Sequence, residues 1–381
     1  MTDSEGPAVM RAAVLLGTGG PEMLAVRDDV PVPRPDHGDV LVRVAACGMN
    51  NTDINTRVGW YSRSVTSATT SQGFAEADPE DSAWGRSGLS FPRVQGADIA
   101  GVVVAAGEGA DVGLVGRRVL VDPWLRDRDR PADRGLAGYL GSERDGGYAE
   151  YCTVPSENVY PVSVGLSDIE LASFACSWST AEHMLQRANL RAGETIAVPG
   201  ASGGVGSALV QLAKRRGARV VAVAGASKRD GVRDLGADAV VTRDSGDIVA
   251  AALEANDVSF DVVADVVGGD SFGGWLEALR RGGRYVTSGA IAGPVVDLDL
   301  RTLYLKDLQL HGATVYAPQV FADLVGYIER GEVRPVVGGT YPLEEIHAAQ
   351  QAFADKRHIG SLVITVEPAA QAGRSPKRPS G

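Results

Sequence analysis

The run Gly200-Ala201-Ser202-Gly203-Gly204-Val205-Gly206 constrains this chain more than any other feature. Thr195–Pro199 ahead of it has the length and composition of a buried strand. SALVQLAKRRG behind it carries apolar residues at helical spacing. Glycines at 200, 203 and 206 let the chain turn sharply after a strand. They also let backbone N–H groups approach a diphosphate, which then sits on the positive end of the following helix. A glycine-rich turn with no ligand would use the same residues, but here the run opens a series. Arg219–Ala224 reads as a strand, Ser227–Leu235 as a helix and Ala239–Val241 as a strand. Asp247–Ala255 reads as a helix, Phe260–Val266 as a strand, Ser271–Leu279 as a helix and Arg284–Ser288 as a strand. Such alternation means βαβ units and a doubly wound parallel sheet, the setting in which this loop binds a dinucleotide. The fold class is therefore α/β. Gly200, Ala201, Ser202, Gly203, Gly204, Val205 and Gly206 are candidate cofactor residues.

The second strand bears on which dinucleotide is held. An NAD site places Asp or Glu near that strand's end, on the ribose 2′-hydroxyl. Residues 219 to 229 contain no acid. They end instead in Ser227, Lys228 and Arg229, which suit a 2′-phosphate through charge-assisted hydrogen bonds. Lys228 and Arg229 could equally be a solvated helix start, but basic residues there oppose the helix dipole. The expected cofactor is NADPH.

Ahead of the parallel sheet the pattern is different. Met10–Leu16, Asp39–Ala46, Ile99–Ala106, Arg117–Val121 and Ala149–Val154 are short β-rich runs separated by turn signals such as Pro35-Asp36-His37-Gly38. Residues 62–90 break this pattern with Ser, Thr, Gly and acids, as a long surface loop would. The Arg-, Asp- and Gly-rich segment 126–147 is a second irregular stretch, and both are expected beside a cleft. Glu170–Leu190 is helical in pattern. The chain returns to mixed structure over 315–366 and ends that stretch in the strand-like Ser361–Val366. These shifts suggest a compact β-rich domain over about 8–155, followed by a domain of βαβ units. Residues 1–7 and 367–381 are expected to be disordered tails.

Charge and cysteine usage narrow the class. Lys plus Arg is 37 and Asp plus Glu is 48, a net charge of −11. Dedicated nucleic-acid binders carry a basic footprint instead, so no nucleic-acid partner is expected. Cys47, Cys152 and Cys176 form no CxxC pair and no disulfide framework. No apolar stretch approaches the roughly 18 residues that span a bilayer, and the first residues are acidic where a signal peptide would be basic. The expectation is a cytoplasmic protein with no membrane partner and a small-molecule substrate.

Several pieces resemble the medium-chain dehydrogenase/reductase superfamily, in the family's order. They are Cys47-Gly48-Met49-Asn50-Asn51-Thr52-Asp53, Gly96-Ala97-Asp98-Ile99-Ala100-Gly101, Gly146-Gly147-Tyr148-Ala149-Glu150-Tyr151 and the glycine run at 200–206. DVVADVVGG at 261–269, GGRYVTSGA at 282–290 and Ile359-Gly360-Ser361-Leu362-Val363 complete the set. The resemblance covers nearly all of residues 10–366. It implies a GroES-like β-rich catalytic domain over 8–160 and 315–366, a Rossmann NADPH-binding domain over 161–314, an active site between them and a homodimer. It also implies cofactor contacts at Val267, Gly268, Ser288 and Gly289.

Zinc-dependent members of that family carry Cys where this chain has Asn50 and His where it has Ala97. Cys176 alone matches the third ligand position, and one ligand of three does not hold the ion. No structural-zinc lobe is present either, since 122–147 contains no cysteine. No metal is expected. The resemblance is then to zinc-free quinone oxidoreductases of the zeta-crystallin type and to enoyl reductases, which also carry Asn at this position. Asp53-Ile54-Asn55 with Gly59-Trp60-Tyr61 is similar to an enoyl-reductase stretch whose Tyr lies by the reacting double bond. Tyr61, Asn50 and Arg57 are the implied catalytic residues. Tyr61 could instead anchor the loop root, and Arg57 could serve a structural ion pair. The expected reaction is NADPH-dependent hydride transfer to a quinone or an activated C=C. The alternatives are a zinc-type alcohol dehydrogenase or a non-catalytic NADPH-binding member.

Overall fold

The computed structural model describes residues 7–78, 81 and 89–366. The expected tails, Pro7 apart, and residues 79–80 and 82–88 of the 62–90 loop lie outside the described residues. The chain forms a β-rich unit and a parallel-sheet unit, as the α/β reading with a GroES-like and a Rossmann domain requires.

In the β-rich unit, Asp39–Met49 is the spine. Its run of Val, Leu, Ala and Cys is buried along almost its whole length because both faces are covered. It pairs antiparallel with Asp98–Ala106, Tyr151–Pro155 and Ser361–Thr365 in a seven-stranded sheet. Val40, Val42, Val44, Ile99 and Val103 anchor its core. A smaller sheet joins Val9–Leu15 to Leu24–Pro31 and to Arg93–Val94. Leu24–Pro31 has no strand signal in the sequence, because Arg27, Asp28 and Asp29 face solvent on an edge strand. Pairing of Leu362 with Met49 and of Thr365 with Ala46 brings the end of the chain back to this unit.

The parallel unit has six strands: β1 (Thr195–Pro199), β2 (Arg219–Ala224), β3 (Ala239–Thr242), β4 (Phe260–Asp265), β5 (Leu279–Thr287) and β6 (Gln309–Gly312). Their order is β3-β2-β1-β4-β5-β6, all parallel. The strand order reverses at β1 and β4, which opens a crevice at their carboxyl ends where ligands bind in such sheets. β6 escapes sequence reading because it is a short, largely exposed edge strand with a polar start.

The stretch expected as one helix over Glu170–Leu190 is two: Asp168–Leu171 and Ala175–Arg187. Ser167 and Glu170 cap the first reciprocally. The break has a local cause. Ser173 Oγ bonds back to the carbonyl of Glu170 at 2.7 Å, and the backbone N–H of Cys176 donates to Asp98 Oδ1 at 2.9 Å. A carboxylate of the β-rich sheet thus caps a helix of the parallel unit. The expected 315–366 segment also divides. Helix Pro318–Glu329 buries Val320, Phe321 and Leu324 in the same cluster as Met184 and Leu185, so its packing places it with the parallel sheet. Only from Val337–Pro342, which pairs with Ser361–Thr365, does the chain rejoin the β-rich unit. The two units touch at a bridge between Gly203 and Gly360, where the Gly360 N–H donates to Ser202 O at 2.9 Å.

Candidate active site

A cleft of about 340 Å³ lies between the units. One wall is the carboxyl edge of β1, β2, β4 and β5. The other is the start of helix Asn51–Val58, the residues after it, and a two-stranded ladder of Trp124–Leu125 with Gly138–Tyr139.

The glycine loop forms the floor. Gly200 holds a φ of 74°, which favours glycine. A Cβ at Gly206 would come within 2.2 Å of the Gly200 carbonyl oxygen, so no larger residue fits there. Helix Gly204–Arg215 starts at Gly203 with no side-chain cap, leaving its first N–H groups available for an anion. Gly200, Ser202, Gly203, Gly204, Val205 and Gly206 line the cleft. Ala201 is fully buried behind it, its N–H on Val223 O at 3.0 Å. Of the residues beyond β4 and β5, Val267, Ser288 and Gly289 line the cleft and Gly268 does not. The Gly268 N–H, with that of Val267, is turned back onto the buried Asp265 carboxylate.

At the far end of β2, Lys228 faces the cleft, whereas Ser227 and Arg229 are exposed and form no part of its lining. Ala226–Lys228 is a tight 3-10 turn, so consecutive side chains point apart and only the lysine turns inward. The second cation here is Arg243, which sequence reading missed. It follows β3, whose carboxyl end lies beside that of β2. A Cβ on Gly225 would be 3.2 Å from Arg243 Nη2. Strand adjacency, invisible in linear order, was the only signal for it. Lys356 and His358 enter from the segment leading into Ser361–Thr365.

The opposite end is aromatic and amide-rich. Trp60, Tyr61, Trp124 and Tyr139 line it with Asn50, Cys176, Ser177 and Thr180. Asn50 is buried, and its side-chain oxygen accepts from Ser177 Oγ at 3.1 Å. Its Nδ2 has no hydrogen-bond partner. The Asn50 backbone N–H donates to Asp53 Oδ2 at 2.8 Å, which holds the residue at the helix entrance. Burial pushes the Tyr61 phenol above its ordinary range, against a smaller lowering by a hydrogen bond with Asn55. Tyr139 was not foreseen. It lies in the 126–147 segment expected beside the cleft, and burial, then the charges of Cys176 and Asp98, raise its phenol too.

Arg57 is corrected by the structure. Its guanidinium is absent from the cleft lining. It is buried beneath the helix, donating to Gln350 Oε1 at 2.9 Å, Gly19 O at 2.9 Å and Ser71 O at 3.2 Å. It ties the root of the 62–90 loop to the β-rich unit. That loop crosses to the other wall where the Thr69 N–H meets Ile291 O at 3.2 Å, and Thr69 Oγ1 donates to Asn55 Oδ1 at 2.6 Å.

Two buried carboxyls stand behind Asn50. Burial pushes Asp98 up to about 8, against lowering by the Asn50 side chain and the Cys176 N–H; Asp53 raises it further. Burial likewise pushes Asp53 up to about 6, against hydrogen bonds from the Asn50 N–H and the Tyr148 hydroxyl. These residues do not suit zinc. An amide and a methyl stand at Asn50 and Ala97, and burial, then Asp98, raise the Cys176 thiol away from the thiolate a metal needs. Among the described residues no three His, Cys, Asp or Glu side chains are grouped to hold a metal ion.

Comparison with known proteins matches residues 36–164 to the alcohol dehydrogenase GroES-like domain and residues 204–330 to the zinc-binding dehydrogenase family. A quinone oxidoreductase of Rattus norvegicus is 29% identical, over 94% of this chain and 98% of its own length. An acryloyl-coenzyme A reductase of Metallosphaera sedula is 30% identical, over 93% of this chain and 100% of its own. A crystal structure from Sinorhizobium meliloti 1021, described as a candidate alcohol dehydrogenase, superposes with a TM-score of 0.85. It is 49% identical, covering 95% of this chain and 98% of that one.

Proposed function

This chain belongs to the medium-chain dehydrogenase/reductase superfamily, in its quinone oxidoreductase and enoyl reductase branch, and from that premise we propose an NADPH-dependent, zinc-independent reductase of an activated C=C or a quinone. Oxidoreductase chemistry with a nicotinamide cofactor is common to the family. The choice of acceptor and of NADPH is our reading.

The observation that carries it is the donor set at the aromatic end of the cleft. The Asn50 amide Nδ2 stands by Asp98 but makes no hydrogen bond of good geometry, and the Asn50 and Tyr61 side chains line the same wall. When bound, the reduced nicotinamide supplies hydride to the acceptor carbon. Negative charge then develops on a conjugated carbonyl or on the second quinone oxygen, and hydrogen-bond donors suffice to hold it. The Asn50 amide holds that oxygen, fixed in orientation because Ser177 occupies its own oxygen. Tyr61 keeps its proton at neutral pH and donates it. Trp60 and Trp124 exclude water and offer flat apolar walls to a planar acceptor. Lys228 and Arg243 together select the 2′-phosphate.

The test is a screen of 1,4-benzoquinone, enones and enoyl thioesters with NADPH and with NADH, beside alcohols with the oxidised cofactors. Turnover of a quinone or conjugated acceptor, faster with NADPH, is the expected result. Activity confined to alcohols and abolished by a chelator would overturn it.

A further inference from the structure

The chain has five lysines: Lys214, Lys228, Lys306, Lys356 and Lys377. Among the described ones, Lys214 and Lys306 pair with Asp238 and Glu277 on the surface. The other two, Lys228 and Lys356, line the cleft and form no ion pair with a carboxylate. They interlock instead. Lys228 Nζ donates to the backbone carbonyl of Lys356, and Lys356 Nζ donates to Asn51 Oδ1 at 2.8 Å while lying 3.8 Å from the centre of the Phe353 ring. A link therefore runs from the end of β2, through Lys356, to the helix that positions Asn50. Beside it the His358 Nδ1 is buried without a partner. Lys356 also holds a positive φ of 52°, so its backbone is committed to this turn.

Two interlocked lysines and an imidazole facing one cavity, with no carboxylate among them, make a site built for an anion. We propose that Lys356 is a proton-linked clamp for the phosphates of the dinucleotide, an amine that takes up a proton above neutral pH as the phosphates enter. The inference rests on the dinucleotide reading above and adds a regulation of that same site. Its physical basis is the surroundings of the amine. Lys228 faces it from the turn after β2, and His358 from its own segment. Helix Asn51–Val58 offers it the neutral amide of Asn51, while that helix's Asp53 is turned onto Tyr148 and the Asn50 N–H. Helix Ile346–Ala354 offers the Phe353 ring, and neighbouring Asp355 is taken by Gln351. Burial, then the Lys228 charge, lower the Lys356 ammonium to about 7. Burial, then the charges of Lys356 and Lys228, lower His358 to about 4, against a raising hydrogen bond with the Ala352 backbone. An incoming phosphate reverses the sign of the local field and restores the ammonium. Above neutral pH, binding then brings in a proton and weakens as pH rises.

The experiment is calorimetric titration of the full-length protein with NADPH and with NADH, at about pH 8, in HEPES and in Tris, whose ionisation enthalpies differ. The dependence of the apparent enthalpy on buffer counts protons. Wild type should take up close to one proton, and its Kd for either dinucleotide should rise about tenfold per pH unit above neutrality. Lys356→Arg keeps a charge at every pH, so it should bind with little proton uptake and a flat pH profile. Lys356→Met, neutral throughout, should lose the uptake as well and bind more weakly below pH 7. Any uptake that survives in both variants belongs to another group, such as Asp98. Tight binding by wild type without proton uptake, or uptake undiminished in Lys356→Arg, would overturn this inference and leave the dinucleotide reading standing. Failure of both dinucleotides to bind wild type would overturn this inference and the dinucleotide reading together.

Discussion

Tyr61 and Asn50 carry opposite burdens in the same wall of the cleft. The phenol keeps its proton because burial disfavours the phenolate, while the amide Nδ2, beside Asp98, makes no hydrogen bond of good geometry. Tyr61→Phe should lower kcat on the best conjugated substrate by at least about tenfold, and by as much as the roughly 10²–10⁴-fold a general acid contributes. Dinucleotide affinity should be unchanged in a fluorescence titration. Lys228→Ala should weaken NADPH binding by roughly 1–3 kcal/mol, the range for a charged hydrogen bond, and leave NADH nearly unaffected. Arg243→Ala should act in the same direction, whereas Arg229→Ala, on an exposed side chain, should do neither. Asp98 gives a pH signature. Its folded-state value near 8 lies above the ordinary carboxyl value, so the folded state holds a proton that the unfolded chain has released. That contribution to stability is complete in acid and is lost as pH rises towards 8. Asp98→Asn should therefore flatten the fall in Tm between about pH 5 and pH 8 relative to wild type; parallel curves for the two proteins would refute the shift.

At the scale of the element, the glycine loop works because its two ends come closer than side chains allow. Gly206 packs against the carbonyl of Gly200, and its absent Cβ is what lets helix Gly204–Arg215 begin directly under the cleft. Gly206→Ala would place a carbon 2.2 Å from that oxygen. We expect a native-like circular dichroism spectrum with dinucleotide affinity lowered by about tenfold or more, since the loop must open to relieve the contact. Gly203→Ala, whose Cβ would meet nothing nearer than 3.8 Å, is the matched control on the protein side. The break between Asp168–Leu171 and Ala175–Arg187 shows the reverse case. There the helix is interrupted at Ser173, and the N–H of Cys176 reaches Asp98 on a strand of the β-rich unit, a partner no local pattern announces.

Across the whole molecule, the six-stranded sheet ends in β6, an edge with unpaired backbone groups. In the residues leading into it and on the strand itself, Val295, Leu300, Tyr304, Leu305 and Leu310 are exposed. Such an edge is seldom left both apolar and uncovered. A second copy covers it most economically, since a strand meets its own copy antiparallel across a two-fold axis and each side supplies the same residues. We therefore expect a homodimer in light scattering, and a monomer when Tyr304 and Leu305 are both replaced by Asp. A wild-type monomer would remove this reading. No described helix is long and apolar enough to cross a membrane.

The sequence by itself determined the parallel sheet, the glycine loop and the absence of ligand side chains at residues 50 and 97. Those features are local: a strand run, a helix period and a residue type at a position each carry their own physical meaning. Tertiary structure alone decided which cations face the cofactor and which face water. Ser227, Lys228 and Arg229 are equivalent in linear order, but a tight turn admits only Lys228, and the neighbouring strand brings Arg243 from fifteen residues further on. Arg57 reads as a site residue in sequence and becomes a buried strut, because its fork meets Gly19, Ser71 and Gln350 before it can reach the cleft. Lys356, about 150 residues beyond the glycine loop, enters the site only because the last strand returns to Asp39–Met49 and bridges Gly360 to Gly203. Contacts between distant segments depend on how strands pair, and pairing is settled by burial summed over the whole sheet rather than by any residue's neighbours in the chain.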